Sequence, residues 1–282
     1  MISGAASSSI LRRVLAALCI LTACTACAER RETHEVLNAL LWMQTSAEYR
    51  TLTTLTYRQA TAALDLALGD KAWTAALEQE GNFQDLPPAV VLDLDETVLD
   101  NQPFDGRLIK DGTRFTSSRW EEWVNEADAR ALPGSLEFIT EAQRRGIAVF
   151  FITNRRAKHE ALTRRNLERL GLTLSTEPDA VLSEGEAPFD WPSDKSSRRR
   201  YLAERYRILL LIGDDLRDFV VGAQDTPEAR MALAQHHRAR WGVSWFLIPN
   251  PMYGTWETAL FPTGSSDNEA LAAKRAWVRE RP

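Results

Sequence analysis

Two aspartates close an apolar run, in the segment Asp93-Leu94-Asp95-Glu96-Thr97. Side chains alternate along an extended segment, so residues two apart point the same way. Carboxylates that close repel one another unless a cation or a proton lies between them. A second group of acids, Gly213-Asp214-Asp215-Leu216-Arg217-Asp218, closes another apolar run. Acids delivered this way, with no His or Cys cluster beside them, suit Mg²⁺ rather than zinc. A third run ends Thr153-Asn154-Arg155. A hydroxyl, an amide and a guanidinium at one strand end can hold phosphate oxygens; Thr153 or Asn154 would serve equally as a helix N-cap. Lys195 stands just before a helix, where an ammonium would offset charge developing on a phosphoryl group. Its neighbours Arg198, Arg199 and Arg200 read as solvent-facing.

These residues need a scaffold that brings distant strand ends together. Residues 89–94, 147–152 and 208–212 are continuous apolar runs, as expected of buried parallel strands. Residues 180–182 and 244–248 read as shorter ones. Helical patterns over residues 134–145 and 196–205 alternate with them, which points to an α/β fold with a doubly wound parallel sheet. Ligands in such sheets bind beyond the carboxyl ends of the strands. Residues 34–68 form a helical pattern, and a shorter helix is expected to about Gln79, giving an N-terminal helical region over residues 34–80. Residues 104–132 break the alternation. They are rich in charge and aromatics, including Phe115, Trp120 and Trp123, and read as a small cap insertion. Residues 263–282 form a polar tail, helical from Asn268.

The chain has 282 residues, a formal net charge of -5 and a pI of about 5.6. That balance gives no basis for binding a polyanion such as DNA. Arg12 and Arg13 precede an apolar stretch, residues 14–21, too short to span a bilayer. Leu21-Thr22-Ala23-Cys24 then resembles a bacterial lipobox. It implies a signal peptide over residues 1–23, lipidation of Cys24 and a tether over residues 24–33. Thr25, where an Asp would signal inner-membrane retention, favours the outer membrane. The expected location is the bacterial cell envelope, lipid-anchored and facing the periplasm or exterior. Cys27 alone would remain as a thiol, so no internal disulfide is expected.

Taken in order, DxDxT, a Thr after a strand, a Lys and GDxxxD resemble the haloacid dehalogenase superfamily. The runs Val90-Val91-Leu92-Asp93-Leu94-Asp95-Glu96-Thr97-Val98-Leu99-Asp100-Asn101 and Leu211-Ile212-Gly213-Asp214-Asp215-Leu216-Arg217-Asp218-Phe219 look like the two signatures of class C bacterial acid phosphatases. These are lipoprotein nonspecific phosphatases and 5′-nucleotidases. Residues 34–262 carry the resemblance. Two positions depart from it: Phe104 stands where the family usually has Tyr, and Asp215 where it usually has Asn or Glu. The first removes a hydroxyl from the substrate side; the second adds a charge near the metal.

The resemblance implies an Mg²⁺-dependent phosphomonoesterase with an HAD-like fold. Asp93 would be the nucleophile and Asp95 the general acid and then base. Asp93, the backbone carbonyl of Asp95 and Asp214 would hold Mg²⁺, with Asp218 behind them. Thr153, Asn154 and Lys195 would bind phosphate. Tyr253, Phe115, Trp120, Asn101 and Arg155 would line the substrate, expected to be a nucleoside monophosphate. Trp123 and Trp256 read as packing residues, His236 and His237 as surface residues. Other readings are a phosphatase or phosphotransferase for another small ester, and a non-catalytic ligand-binding lipoprotein. The oligomeric state is left open.

Overall fold

Leu37–Thr45 (α1) and Ala47–Gly69 (α2) form where one helical stretch is expected. They divide at Ser46, whose hydroxyl accepts a hydrogen bond from the Tyr49 amide and caps the second helix. The computed structural model describes residues 34–279 apart from Glu177 and Gln224. The expected signal peptide, Cys24 and the tether lie outside the described residues. The chain divides into two units, Met1–Leu37 and Asn38–Pro282, and the second carries the fold described below.

The short helix expected to Gln79 is absent; residues 70–79 are turns and irregular backbone. Their hydrogen-bonding groups are taken by a strand. The Ala75 amide donates to the Ile208 carbonyl at 2.7 Å, and the Trp73 indole donates to the Leu209 carbonyl at 2.8 Å. The Gln79 side chain accepts from the Ile208 amide. A helix over this segment would forfeit those partners.

From there strands and helices alternate. Pro88–Leu92 (β1) is followed by the two-residue strand Leu99–Asp100 (β2), helices Gln102–Asp111 (α3) and Ser117–Glu126 (α4), and Arg130–Ala131 (β3). Next come Ser135–Arg144 (α5), Ala148–Arg156 (β4), Glu160–Arg169 (α6), Val181–Glu184 (β5) and Ser196–Ala203 (α7). Arg207–Gly213 (β6), Pro227–His236 (α8), Trp245–Leu247 (β7), Thr255–Thr258 (α9) and Asp267–Trp277 (α10) complete the chain.

Five strands form one parallel sheet in the order β5-β4-β1-β6-β7. Every residue of β6 is buried, as a parallel strand covered on both faces should be. Val91, Phe150, Leu182 and Leu211 pack with Leu202 of α7 and with Trp245. The intervening residues Val90, Val149, Phe151 and Leu210 are buried as well. Strand β1 lies between β4 and β6: the chain runs outward from β1 to β4 and β5, then crosses back to β6 and β7 on the other side of β1. That is the topological switch point, where a crevice opens beyond the strand ends. The expected insertion is the α3–α4 pair, framed by the antiparallel β2–β3 pairing.

Candidate active site

Asp93 follows the last residue of β1, and its amide donates to the Ile212 carbonyl at 2.9 Å. This ties the tip of β1 to that of β6, which leads into Asp214. Asp93, Asp214 and Asp218 each bring a carboxylate oxygen within 4.8 Å of the others. Asp218 reaches this position by folding back over the strand tip. Its Oδ2 accepts from the amides of Asp214 and Asp215 at 3.1 and 2.9 Å. Only glycine allows this at position 213, because an added Cβ would lie 2.3 Å from that oxygen. Asp214 accepts from Thr97 Oγ1 at 3.2 Å and from Asn250 Nδ2 at 2.8 Å.

Lys195, 4% exposed, donates to Asp93 Oδ1 and, at 2.7 Å, to Asp218 Oδ1. One ammonium thus serves two buried carboxyls, with half-buried Asp214 beside them. Burial pushes the Asp93 carboxyl up to about 6, against the pull of Lys195. Burial, then Asp218 and Asp93, hold Asp214 well above the usual carboxylate range. The pocket is short of positive charge, and its donors are all oxygen. That set fits a hard divalent cation.

The hydroxyl of Thr153 accepts from the Arg155 amide at 3.0 Å, which leaves its own O–H to donate. Asn154 Oδ1 accepts from Arg198 at 2.7 Å. Arg198 and Arg199 overturn the solvent-facing expectation: they are 0% and 1% exposed. Arg198 donates to the carbonyls of Thr153 and Leu182, at 2.5 and 3.3 Å. Arg199 pairs with buried Glu78 at 2.7 Å and donates to the carbonyls of Arg217 and Asp218. Positions 195, 198 and 199 share one side of a helical turn. That spacing was the available signal, and the charge run hid it. Arg200 alone of the three is exposed.

Asp95 is held on the other side. Arg155 donates to it from Nε and Nη2, the shortest at 2.8 Å, and Asn101 Nδ2 donates at 2.9 Å. Asn101 and Arg155 were expected to line the substrate. At 1% and 2% exposure both are buried, and both donate to Asp95. Asp215 is a second correction. Its oxygens accept from the backbone and hydroxyl of Thr255 and from the Arg217 amide, so it anchors α9 and adds no free charge to the pocket. Phe104 is also buried, ringed by Phe115, Trp120 and Trp123, where a hydroxyl would lack water. Phe115 and Tyr253 remain exposed, at 61% and 37%. Trp120 packs edge-on against Phe104 and under the Arg155 guanidinium. Trp256 is part-exposed and donates to the Tyr253 carbonyl. His236 and His237 meet edge to face at the end of α8, away from these groups in sequence.

The family model for HAD superfamily, subfamily IIIB (acid phosphatase) matches residues 18–256. A stem 31 kDa glycoprotein of Glycine max is 27% identical over 188 residues, 66% of this chain and 66% of that protein. Acid phosphatase 1 of Solanum lycopersicum is 27% identical over 169 residues, 58% of this chain and 57% of that protein. The chain therefore spans less than two thirds of these relatives' own lengths. A structure of the class C acid phosphatase from Bacillus anthracis is 32% identical, with a TM-score of 0.74, covering 87% of this chain and 97% of that one. A second structure of that enzyme, with tungstate bound, gives a TM-score of 0.78 over 89% and 99% of the two chains.

Proposed function

The chain belongs to the acid phosphatases of HAD superfamily subfamily IIIB, and on that premise we propose that it hydrolyses small phosphomonoesters through a phosphoaspartate at Asp93. The observation that carries this reading is the convergence of Asp93, Asp214 and Asp218 at the sheet's switch point, with Lys195 bridging two of them. Tungstate is a tetrahedral oxyanion like phosphate, and its presence in the class C enzyme from Bacillus anthracis supports an oxyanion pocket in the shared fold.

Asp93 attacks phosphorus while the bond from phosphorus to the leaving oxygen breaks. Asp95 gives that oxygen its proton. Asp95 then takes a proton from water as the water attacks the phosphoaspartate, and phosphate leaves with Asp93 restored. Lys195 spends two of its three donors on Asp93 and Asp218, which leaves one for a phosphoryl oxygen. The free O–H of Thr153 supplies another. Asp93, Asp214 and the backbone carbonyl of Asp95 would hold the divalent cation, with Mg²⁺ the proposed occupant and Asp218 fixed behind them. When bound, the cation offsets the repulsion between carboxylate and phosphate and stabilises charge on the transferring group.

The proposed substrates are nucleoside monophosphates, because the exposed rings of Phe115 and Tyr253 offer flat faces that accept any base. Anchoring through lipidated Cys24 in the bacterial outer membrane is proposed on the lipobox alone. Among the described residues no helix is long and apolar enough to cross a membrane. Detergent-phase partition of the expressed protein and of Cys24→Ala tests the anchor. Hydrolysis of p-nitrophenyl phosphate tests the chemistry. It should vanish in EDTA and return with Mg²⁺; turnover unaffected by EDTA would contradict the cation's part.

A further inference from the structure

The insertion reaches the acid–base carboxylate through two relays, both built on α4. Trp123 is 5% exposed, and its indole Nε1 donates to Asn101 Oδ1 at 2.7 Å. An indole N–H can only donate. The Asn101 carbonyl oxygen must therefore face Trp123, and its NH₂ must face the other way. There it donates to Asp95 Oδ1 at 2.9 Å and to Glu96 Oε2 at 3.2 Å. The opposite amide orientation would set a carbonyl oxygen against the Asp95 carboxylate and an NH₂ against the Trp123 N–H. Asn101 is also the residue before α3, yet its side chain makes no cap hydrogen bond there. Its amide is committed to the relay.

The second relay starts one turn earlier on the same helix. The Arg155 guanidinium lies 5.6 Å from the centre of the Trp120 ring and donates to both oxygens of Asp95. Trp120 and Trp123 are three residues apart and so share a face of α4. Phe104 touches both rings, at 5.2 and 6.4 Å between centroids. One aromatic unit therefore backs both groups that aim Asp95. Packing alone, the expectation for Trp123, does not explain why its only polar atom is spent on the residue that donates to Asp95.

We propose that Trp123 and Trp120 are positioning residues for Asp95, acting through Asn101 and Arg155, so that the placement of the insertion sets the efficiency of proton transfer to the leaving group. This rests on the reading of Asp95 as the proton-transfer residue. A phosphoester whose leaving group is a poor one, such as an alkoxide, needs that proton; p-nitrophenolate departs without it. Loss of aim should therefore discriminate between esters, whereas a general loosening of the fold should not.

The experiment compares kcat/KM of the full-length protein and Trp123→Phe on glycerol phosphate and on p-nitrophenyl phosphate, with Mg²⁺ present. This ratio covers only the steps up to release of the first product, so slow hydrolysis of the phosphoaspartate does not enter it. General acid help is typically worth ~10²–10⁴-fold, and partial loss of aim should cost the alkyl ester ~10-fold or more beyond any loss on the aryl ester. Asn101→Leu should give the same discrimination, and the double variant should be no worse than Asn101→Leu alone. Should Trp123→Phe not fold, Asn101→Leu and Arg155→Lys carry the comparison. Equal losses on both esters, or additive losses in the double variant, overturn the proposal while leaving the phosphatase reading intact. No hydrolysis of either ester by the unaltered protein removes the phosphatase reading and the relays with it.

Discussion

The pocket at the strand tips and the insertion above it are built from opposite materials. In the pocket, ionised groups are buried and each has a charged or backbone partner: Lys195 between Asp93 and Asp218, Arg199 between Glu78 and two carbonyls, Arg198 on the Thr153 carbonyl. In the insertion, aromatic rings meet edge to face, and one of them, Phe115, is mostly in water. A buried charge without its partner is costly, so the pocket tolerates little change. An exposed ring such as Phe115 can be replaced with small loss, whereas buried Phe104 and Trp123 cannot. On the proposed function, the contrast assigns the reaction to the sheet's edge and contact with the leaving group to the exposed rings. Asn101 is the point where the two meet, donating to the pocket and accepting from the insertion.

The contrast breaks first, if at all, at the nucleophile. Asp93→Asn should lower turnover on the order of 10⁴-fold or more on every ester. Near-normal p-nitrophenyl phosphate hydrolysis by that variant would remove the pocket's claim to the chemistry. Next in size is a buried pair. Arg199→Ala leaves Glu78 buried and uncompensated, and urea unfolding should show a loss of about 3–5 kcal/mol. A loss under about 1 kcal/mol would mean the pair is not closed from water.

A third test uses pH. Asp93 is raised to about 6 and Asp214 well above its ordinary value, so the fold binds protons that the unfolded chain has released. In metal-free protein the Asp93 contribution to stability is full below about pH 4 and is lost as pH rises through about 6, and that of Asp214 is lost in the same direction. Asp105 on α3 of the insertion, raised to about 7 by burial, adds a loss of the same sign that no pocket cation touches. Thermal unfolding in EDTA should fall across this range. Mg²⁺ should raise the midpoint at about pH 7.5 and leave it unmoved near about pH 4, where protons occupy the site. An equal rise at both would place the ion elsewhere. The smallest effect belongs to the exposed rings. Phe115→Ala and Tyr253→Ala should raise KM for nucleoside monophosphates ~2–10-fold, with little change for p-nitrophenyl phosphate. Equal changes for both would take the rings out of substrate choice.

Much of the sheet's edge was legible in the sequence. The runs ending at Asp93, Thr153 and Asp214 are apolar because β1, β4 and β6 are covered on both faces, and apolarity is a local property that a chain displays. What stayed hidden depends on partners far away in sequence. Residues 70–79 have helical composition, yet β6 takes their hydrogen bonds. Arg198 and Arg199 look like solvated charge until Thr153, Asp218 and Glu78 are placed beside them. Asn101 and Arg155 have side chains suited to a ligand, and only the folded chain shows Asp95 occupying them. Asp215 looked like a fourth pocket acid because sequence does not reveal that Thr255, 40 residues on, would claim it.

The most direct measurement is acid-quenched turnover of a phosphomonoester with Mg²⁺, followed by peptide mapping of the protein. Phosphate should be found on the peptide containing Asp93, should disappear when EDTA is present before substrate, and should be missing from Asp93→Asn. Phosphate trapped on another residue, or product formed at full rate with no phosphoprotein at any quench time, would contradict nucleophilic attack by Asp93.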